Sequence, residues 1–176
     1  MKNEKEKIYK ISGGDGSEYI KITIYNELLE RMQKYVEQNE LQFLDKTPIE
    51  IEVEDGGIEF PDLLCQPLPL FSERLKNILE KYEVDNIFYK PVYLVDNLLE
   101  EKHLYWLGVV DYIHCFEMDQ EGKEQFLVER IGKYKIFRDY LQSGLAIYVT
   151  EELKNILEQE EHNLEGIRYF QIENDK

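Results

Sequence analysis

Hydrophobic and polar residues follow one another in this chain at two different periods, and each switch of period marks an element. Tyr19–Tyr25 reads YIKITIY, with Ile20, Ile22 and Ile24 alternating with more polar neighbours, which predicts a half-buried strand. Asn26 then caps a helix in which Leu28, Leu29, Met32, Tyr35 and Val36 fall on one stripe against charged flanks. PIEIEVE returns to strict alternation, with Ile49, Ile51 and Val53 on one face and a ladder of carboxylates, Glu50, Glu52 and Glu54, on the other. IFYKPVYLV is rich in aromatic and β-branched residues and predicts a strand that Pro91 demotes locally to an edge or bulge. HLYWLGVVDYI is more continuously apolar and suits a central strand, and shorter strands are expected in EQFLVERI and GLAIYV.

One segment occurs twice: SERLKNILE at Ser72–Glu80 and TEELKNILE at Thr150–Glu158. Ser72 and Thr150 are good N-caps, and Glu73 stands favourably in the first turn. Leu75, Ile78, Leu79 and Tyr82 in the first copy, and Leu153, Ile156 and Leu157 in the second, form apolar helical stripes. A strand follows each helix, the second being GIRYFQIE after a turn at Gly166. Neither copy carries a paired nucleophile and base, so capping and core packing account for what they share. The flanking sequences diverge at once, and the two matches do not by themselves establish a duplicated domain.

Composition narrows the possibilities. At 176 residues and 43% hydrophobic content, the chain is sufficient for one ordinary core that buries roughly 70% of its unfolded surface. The 37 acidic and 21 basic residues give a formal charge of −16, which disfavours direct contact with nucleic acid or an anionic membrane and favours a partner with a basic surface. MKNEKEK lacks the apolar stretch of a leader, and no run of about 18 apolar residues follows, so a cytoplasmic protein is expected. Cys65 and Cys115 belong to no CxxC and are expected as free thiols.

Local signatures of chemistry are weak. SGGDGSE, Ser12–Glu18, is glycine-rich but lacks the Lys-Ser/Thr ending of a phosphate loop and precedes a strand, so a hairpin loop is expected. EMDQEG, Glu117–Gly122, spaces carboxylates before a glycine. Counting from Glu117 puts Val128 where a calcium loop needs a bidentate Glu, and a solvated acidic turn fits better. His103, His114 and His162 lie in no metal-ligand spacing, although His162 stands one helical turn from Glu158. No catalytic residue, metal or cofactor is indicated. What remains is an acidic chain with 13 tyrosines, a combination suited to contact with another protein.

The order of segments carries a resemblance. FPDLLCQPLPLFSERLKNILEKYEVDNIFYKPVYL, then YWLGVVDYIHCFEMD, IFR, IYVTEELKNILEQ and GIRYF together resemble a bacterial family first described as a domain of unknown function and later grouped with the immunity proteins of polymorphic toxin systems. The matching positions are Pro61 and Asp62, Ser72, Glu73 and Arg74, Pro91, Asp119, Phe137 and Arg138, and Gly166 with Tyr169, over Glu59 to Ile172. The resemblance implies a protein that binds and neutralises a cognate toxin, usually encoded beside it, and not an enzyme. The motif residues have a structural explanation as well, with Arg74 or Arg138 pairing with Asp62 or Asp119 inside the fold.

The expectation is therefore an α+β domain with about three principal helices on a mixed or largely antiparallel sheet. Residues 1–58 form a strand–helix–strand portion of the same domain, and residues 59–176 form the part similar to the family. Glu50, Glu52, Glu54, Asp55, Asp119 and Glu121 are the candidate partner contacts. Two other classes stay open: a metal-dependent hydrolase with a dispersed Asp/Glu/His site, and an acidic protein that mimics DNA.

Overall fold

The computed structural model describes residues 6–22, 27–54, 59–139, 145–159 and 162–172. The first half of the chain forms strand β1 (Ile8–Gly13), helix α1 (Glu27–Glu37), strands β2 (Ile49–Glu52), β3 (Leu63–Leu64) and β4 (Leu70–Ser72), and helix α2 (Glu73–Lys81). Strands β5 (Ile87–Asp96), β6 (Glu101–Val110), β7 (Phe116–Met118), β8 (Glu124–Phe126), β9 (Ile136–Phe137) and β10 (Ile147–Thr150) follow. Helix α3 (Glu151–Leu157) and strand β11 (Ile167–Gln171) complete the described chain.

The fold is α+β. A four-stranded sheet has the order β11-β1-β10-β9, a five-stranded sheet the order β2-β5-β6-β4-β3, and β7 with β8 makes a separate hairpin. Every pairing between these strands is antiparallel except that of β2 with β5. Leu29, Met32 and Val36 of α1 pack on Ile51, Val92, Leu94, Tyr105 and Leu107, covering one face of the five-stranded sheet. Leu75, Ile78 and Leu79 of α2 join Leu153 and Leu157 of α3 in a second core with Ile11, Ile147 and Val149 of the other sheet. The β7–β8 hairpin closes that sheet's far face, where Phe116 meets Ile8, Phe137 and Tyr148. Each buried Leu or Ile contributes about 1.5–3 kcal/mol by leaving water.

The repeated nonapeptide marks a repeated fold unit. Ser72 Oγ accepts from the Leu75 amide at 3.0 Å, and Thr150 Oγ1 accepts from the Leu153 amide at 3.3 Å. α2 links β4 to β5 with β6 between them, and α3 links β10 to β11 with β1 between them. In both units, therefore, a capped helix joins two parallel strands across an antiparallel central one. Lys76 lies over the Tyr89 and Trp106 rings at 5.2 and 4.8 Å and is paired with Glu80 at 2.6 Å. Lys154, 78 positions later, lies over Tyr169 and Tyr9 at 5.2 and 5.1 Å and is paired with Glu158. Even the neighbours of the caps correspond, since the Ser72 amide donates to the Asp62 carbonyl and the Thr150 amide to the Lys135 carbonyl, both at 2.9 Å. Asp62 is then paired with Arg74, while Lys135 is paired with Glu152, the same bridge with its charges exchanged. The sequences diverge around the nonapeptide while the topology does not.

Several expectations are corrected. β1 is interior to its sheet, between β11 and β10, and precedes Tyr19–Tyr25, the first strand expected from the alternation of residues. Of Tyr19–Tyr25, only Tyr19 and Lys21 form single bridges, to Glu59 and Glu54, and residues 23–26, with the Asn26 cap, lie outside the described residues. The SGGDGSE segment is not a hairpin loop, because β1 pairs with β10 and β11 and not with the chain that follows the glycines. EQFLVERI yields only three strand residues before a 3-10 turn at Val128–Arg130. Pro91 stands in a strand flanked on both sides, β5, but at a harmless position. Gly108 donates to the carbonyl of Pro69, just before β4, so its partner Tyr89 and, two residues on, Pro91 turn their backbone nitrogens away from β6. On that side β2 begins only opposite Val92, so the missing N–H costs no ladder bond.

Candidate functional site

Most of the residues that carry the resemblance brace the fold from within, while Glu73, Pro91 and Asp119 are exposed or half-buried. Asp62 is buried: its Oδ1 accepts from Ser72 Oγ at 2.5 Å and Arg74 Nε at 3.1 Å, and its Oδ2 accepts from Arg74 Nη2 at 2.5 Å and the Glu165 amide at 2.7 Å. Gly166, at φ +76°, lies against Pro61, and a side chain there would bring its Cβ within 2.5 Å of the Pro61 Cβ. Phe137 is buried, Tyr169 lies under Lys154, and Glu73 is exposed in the first turn of α2. Arg138 is fully buried and donates to the carbonyls of Val110 and Val36 and to Asn39 Oδ1. Of the expected ion pairs, Arg74 with Asp62 is present, whereas Asp119 is engaged in its own turn.

The candidate contact residues fall on two separate elements. Glu50 and Glu52 are exposed on β2, an edge strand of the five-stranded sheet, and alternate with buried Ile51. Glu54 is half-buried, with its amide bonded to Lys21, and Asp55 lies outside the described residues. Asp119 and Glu121 occupy the turn between β7 and β8. Asp119 Oδ1 accepts from the amides of Glu121 and Lys123, both at 2.8 Å, and Glu121 is paired with Lys123 at 3.1 Å. That turn uses its carboxylates on itself.

Glu50 and Glu52 border a surface on the β5–β6 hairpin that no local pattern in the sequence marks. In register, Glu50 stands beside Tyr93 and then Leu104, Glu52 beside Val95 and then Lys102, and Pro91 beside Trp106 and Phe71. All of these except Phe71 are half-buried or exposed, and the Lys102 ammonium reaches across β5 to Glu50. Inward along the same face, α2 covers Phe71 and Tyr89, and Lys76 lies over Trp106. Outward from Trp106 no covering follows: among the described residues, Pro91, Tyr93, Val95, Leu104 and Trp106 join none of the three core clusters. The hairpin ends at a tip where Leu98 and Leu99 are 74% and 57% exposed.

Reactive groups elsewhere are quiet. Both cysteines are free, and burial pushes each thiol up to about 12, far from a thiolate at neutral pH. His103 stacks on Phe60 at 3.6 Å and meets Glu101. α3 ends at Leu157, so His162 is not one helical turn from Glu158; its ring meets the Tyr82 ring edge-on instead. Among the described residues, no group of three or more His, Cys, Asp or Glu is placed to hold a metal ion, and no helix is long and apolar enough to cross a membrane. Compared with protein-family models and with curated proteins, the chain matches none.

Proposed function

We propose that the chain is a toxin-neutralising immunity protein: it binds a cognate bacterial toxin stoichiometrically in the cytoplasm and occludes the toxin's active or substrate-binding surface. The observation that carries this reading is where the resemblance residues lie. Pro61, Asp62, Ser72, Arg74, Phe137, Arg138 and Gly166 all hold the scaffold together and none of them forms a nucleophile–base pair. A frame fixed from inside leaves recognition to its surface, and that surface belongs to a chain with a formal charge of −16. Carboxylates on it would take the place of the anionic ligand of a nuclease or nucleotide-using toxin, and would steer a basic partner before contact.

Co-expression with the toxin domain encoded beside its gene tests this. Growth is expected to be restored, and the two proteins are expected to co-purify one to one with an affinity that falls as salt rises. Persistent growth arrest in cells that accumulate the folded chain would overturn the reading.

A further inference from the structure

We infer that the toxin docks on the open face of the β5–β6 hairpin and presents a basic surface around an apolar centre to it; this rests on the immunity reading above. The repeated unit provides an internal standard. In the second unit the paired strands β1 and β11 have six and five residues, and among the described residues their register runs to Tyr9 with Gln171, the positions that correspond to Trp106 and Pro91, with one further bond from the Ile172 amide to the Ile8 carbonyl. In the first unit β5 and β6 have ten residues each and continue past that row through Tyr93, Val95, Leu104 and Lys102 to the tip. The unit does not need this extension to close.

The extension is also asymmetric. Its back is filled, with Val92, Leu94 and Tyr105 packed against Ile51 and the α1 stripe. Its front shows Pro91, Tyr93, Val95 and Leu104 half-buried and Leu98 and Leu99 exposed at the tip, an apolar patch that a monomer gains nothing by exposing. From the Pro91–Trp106 row to the tip each strand runs six residues, about 20 Å, and β2 widens the face beside them.

The border selects the partner's charge. Among the described residues, Glu50, Glu52 and Glu100 are exposed around this face and its tip, while the two lysines on it are already engaged, Lys102 by Glu50 and Lys76 by Glu80. A cationic surface is the complement, and an anionic one is repelled. The face is held ready for docking, because α1 supports its back and Asp96 Oδ1 closes the tip by accepting from the Leu98 and Leu99 amides at 2.9 and 3.0 Å. The Asp119 turn offers no comparable apolar centre, with Met118 the one large hydrophobic residue exposed beside it among the described residues.

The test is calorimetric titration of the chain with the toxin domain encoded beside its gene. The double variant Leu98→Ser/Leu99→Ser and the single variant Tyr93→Ala are each expected to bind about a hundredfold more weakly, as for a central anchor. The pair Asp119→Asn/Glu121→Gln, on the other hairpin, and Phe170→Ser, on β11, are expected to stay within about threefold of the unaltered chain, as rim or remote positions do. Hairpin variants that keep their thermal midpoint and bind like the unaltered chain would overturn this docking face and leave the immunity reading standing. Failure of the unaltered chain to bind the toxin domain would overturn the immunity reading, and the docking face with it.

Discussion

Replacing Arg138 with leucine is expected to lower the unfolding free energy by about 3–5 kcal/mol in urea denaturation, the largest effect of any single substitution proposed for this chain. Arg138 is fully buried, and its fork joins three parts of the fold. Nε donates to the Val110 carbonyl at the end of β6 at 2.6 Å, Nη1 to the Val36 carbonyl at the end of α1 at 2.8 Å, and Nη2 to Asn39 Oδ1 at 3.2 Å. The Tyr112 ring lies 4.1 Å from the guanidinium carbon. A cation there also opposes the partial negative charge at the α1 C-terminus. Leucine is apolar and supplies none of these bonds: the Val110 carbonyl loses its guanidinium donor, and the Val36 carbonyl keeps only the Asn39 amide at 3.2 Å. Arg138→Lys is expected to recover only part of the loss, since one ammonium cannot reproduce a planar fork aimed at separate acceptors. A loss below about 1 kcal/mol for Arg138→Leu would show that the fork is dispensable.

Asp62→Ala is expected to cost about 2–4 kcal/mol, mostly from the Glu165 amide and the Ser72 hydroxyl that it leaves without their acceptor. Arg74 adds little, because its side chain is 44% exposed and rehydrates. In a chain of this size the change corresponds to a fall in thermal midpoint on the order of 10 °C. The second unit provides the control. Lys135 and Glu152 form the corresponding bridge with charges exchanged, at side-chain exposures of 32% and 61%, and Lys135→Ala is expected to cost less than about 1 kcal/mol. Equal losses from the two variants would contradict the claim that Asp62 is a buried tie between α2 and the loop before β11.

How much of this was legible in the sequence depended on what each residue faces. α2 and α3 were readable because a cap and one apolar stripe are local signals, and β2 because Glu50 and Glu52 stay in water while Ile51 does not. β1 was not readable. Ile8 faces the β7–β8 hairpin while Tyr9 and Ile11 face the α2–α3 core, so the two buried isoleucines stand on opposite faces, with Lys10 exposed between them, and the alternation is lost. β3, β7 and β9, of two or three residues, are shorter than any periodicity. The meaning of the nonapeptide repeat needed the sheet order, since what the units share lies in pairings such as Asp62 with Arg74 and Lys135 with Glu152. The open face was hidden for a similar reason: Tyr93 and Leu104 have the residue types of core positions, and only the placement of α1 and α2 shows which side of the hairpin remains bare. Conversely, Asp119 stood out as a carboxylate in an acidic run, yet it accepts from its own turn.

Amide hydrogen exchange on the chain with and without its toxin domain tests most directly the claim that this protein neutralises a toxin through the extended hairpin. Slowed exchange is expected over residues 91–106, centred on the Leu98–Leu99 tip, with the β7–β8 hairpin unchanged. Protection confined to β7–β8 or β11, or no change on adding the toxin domain, would contradict it.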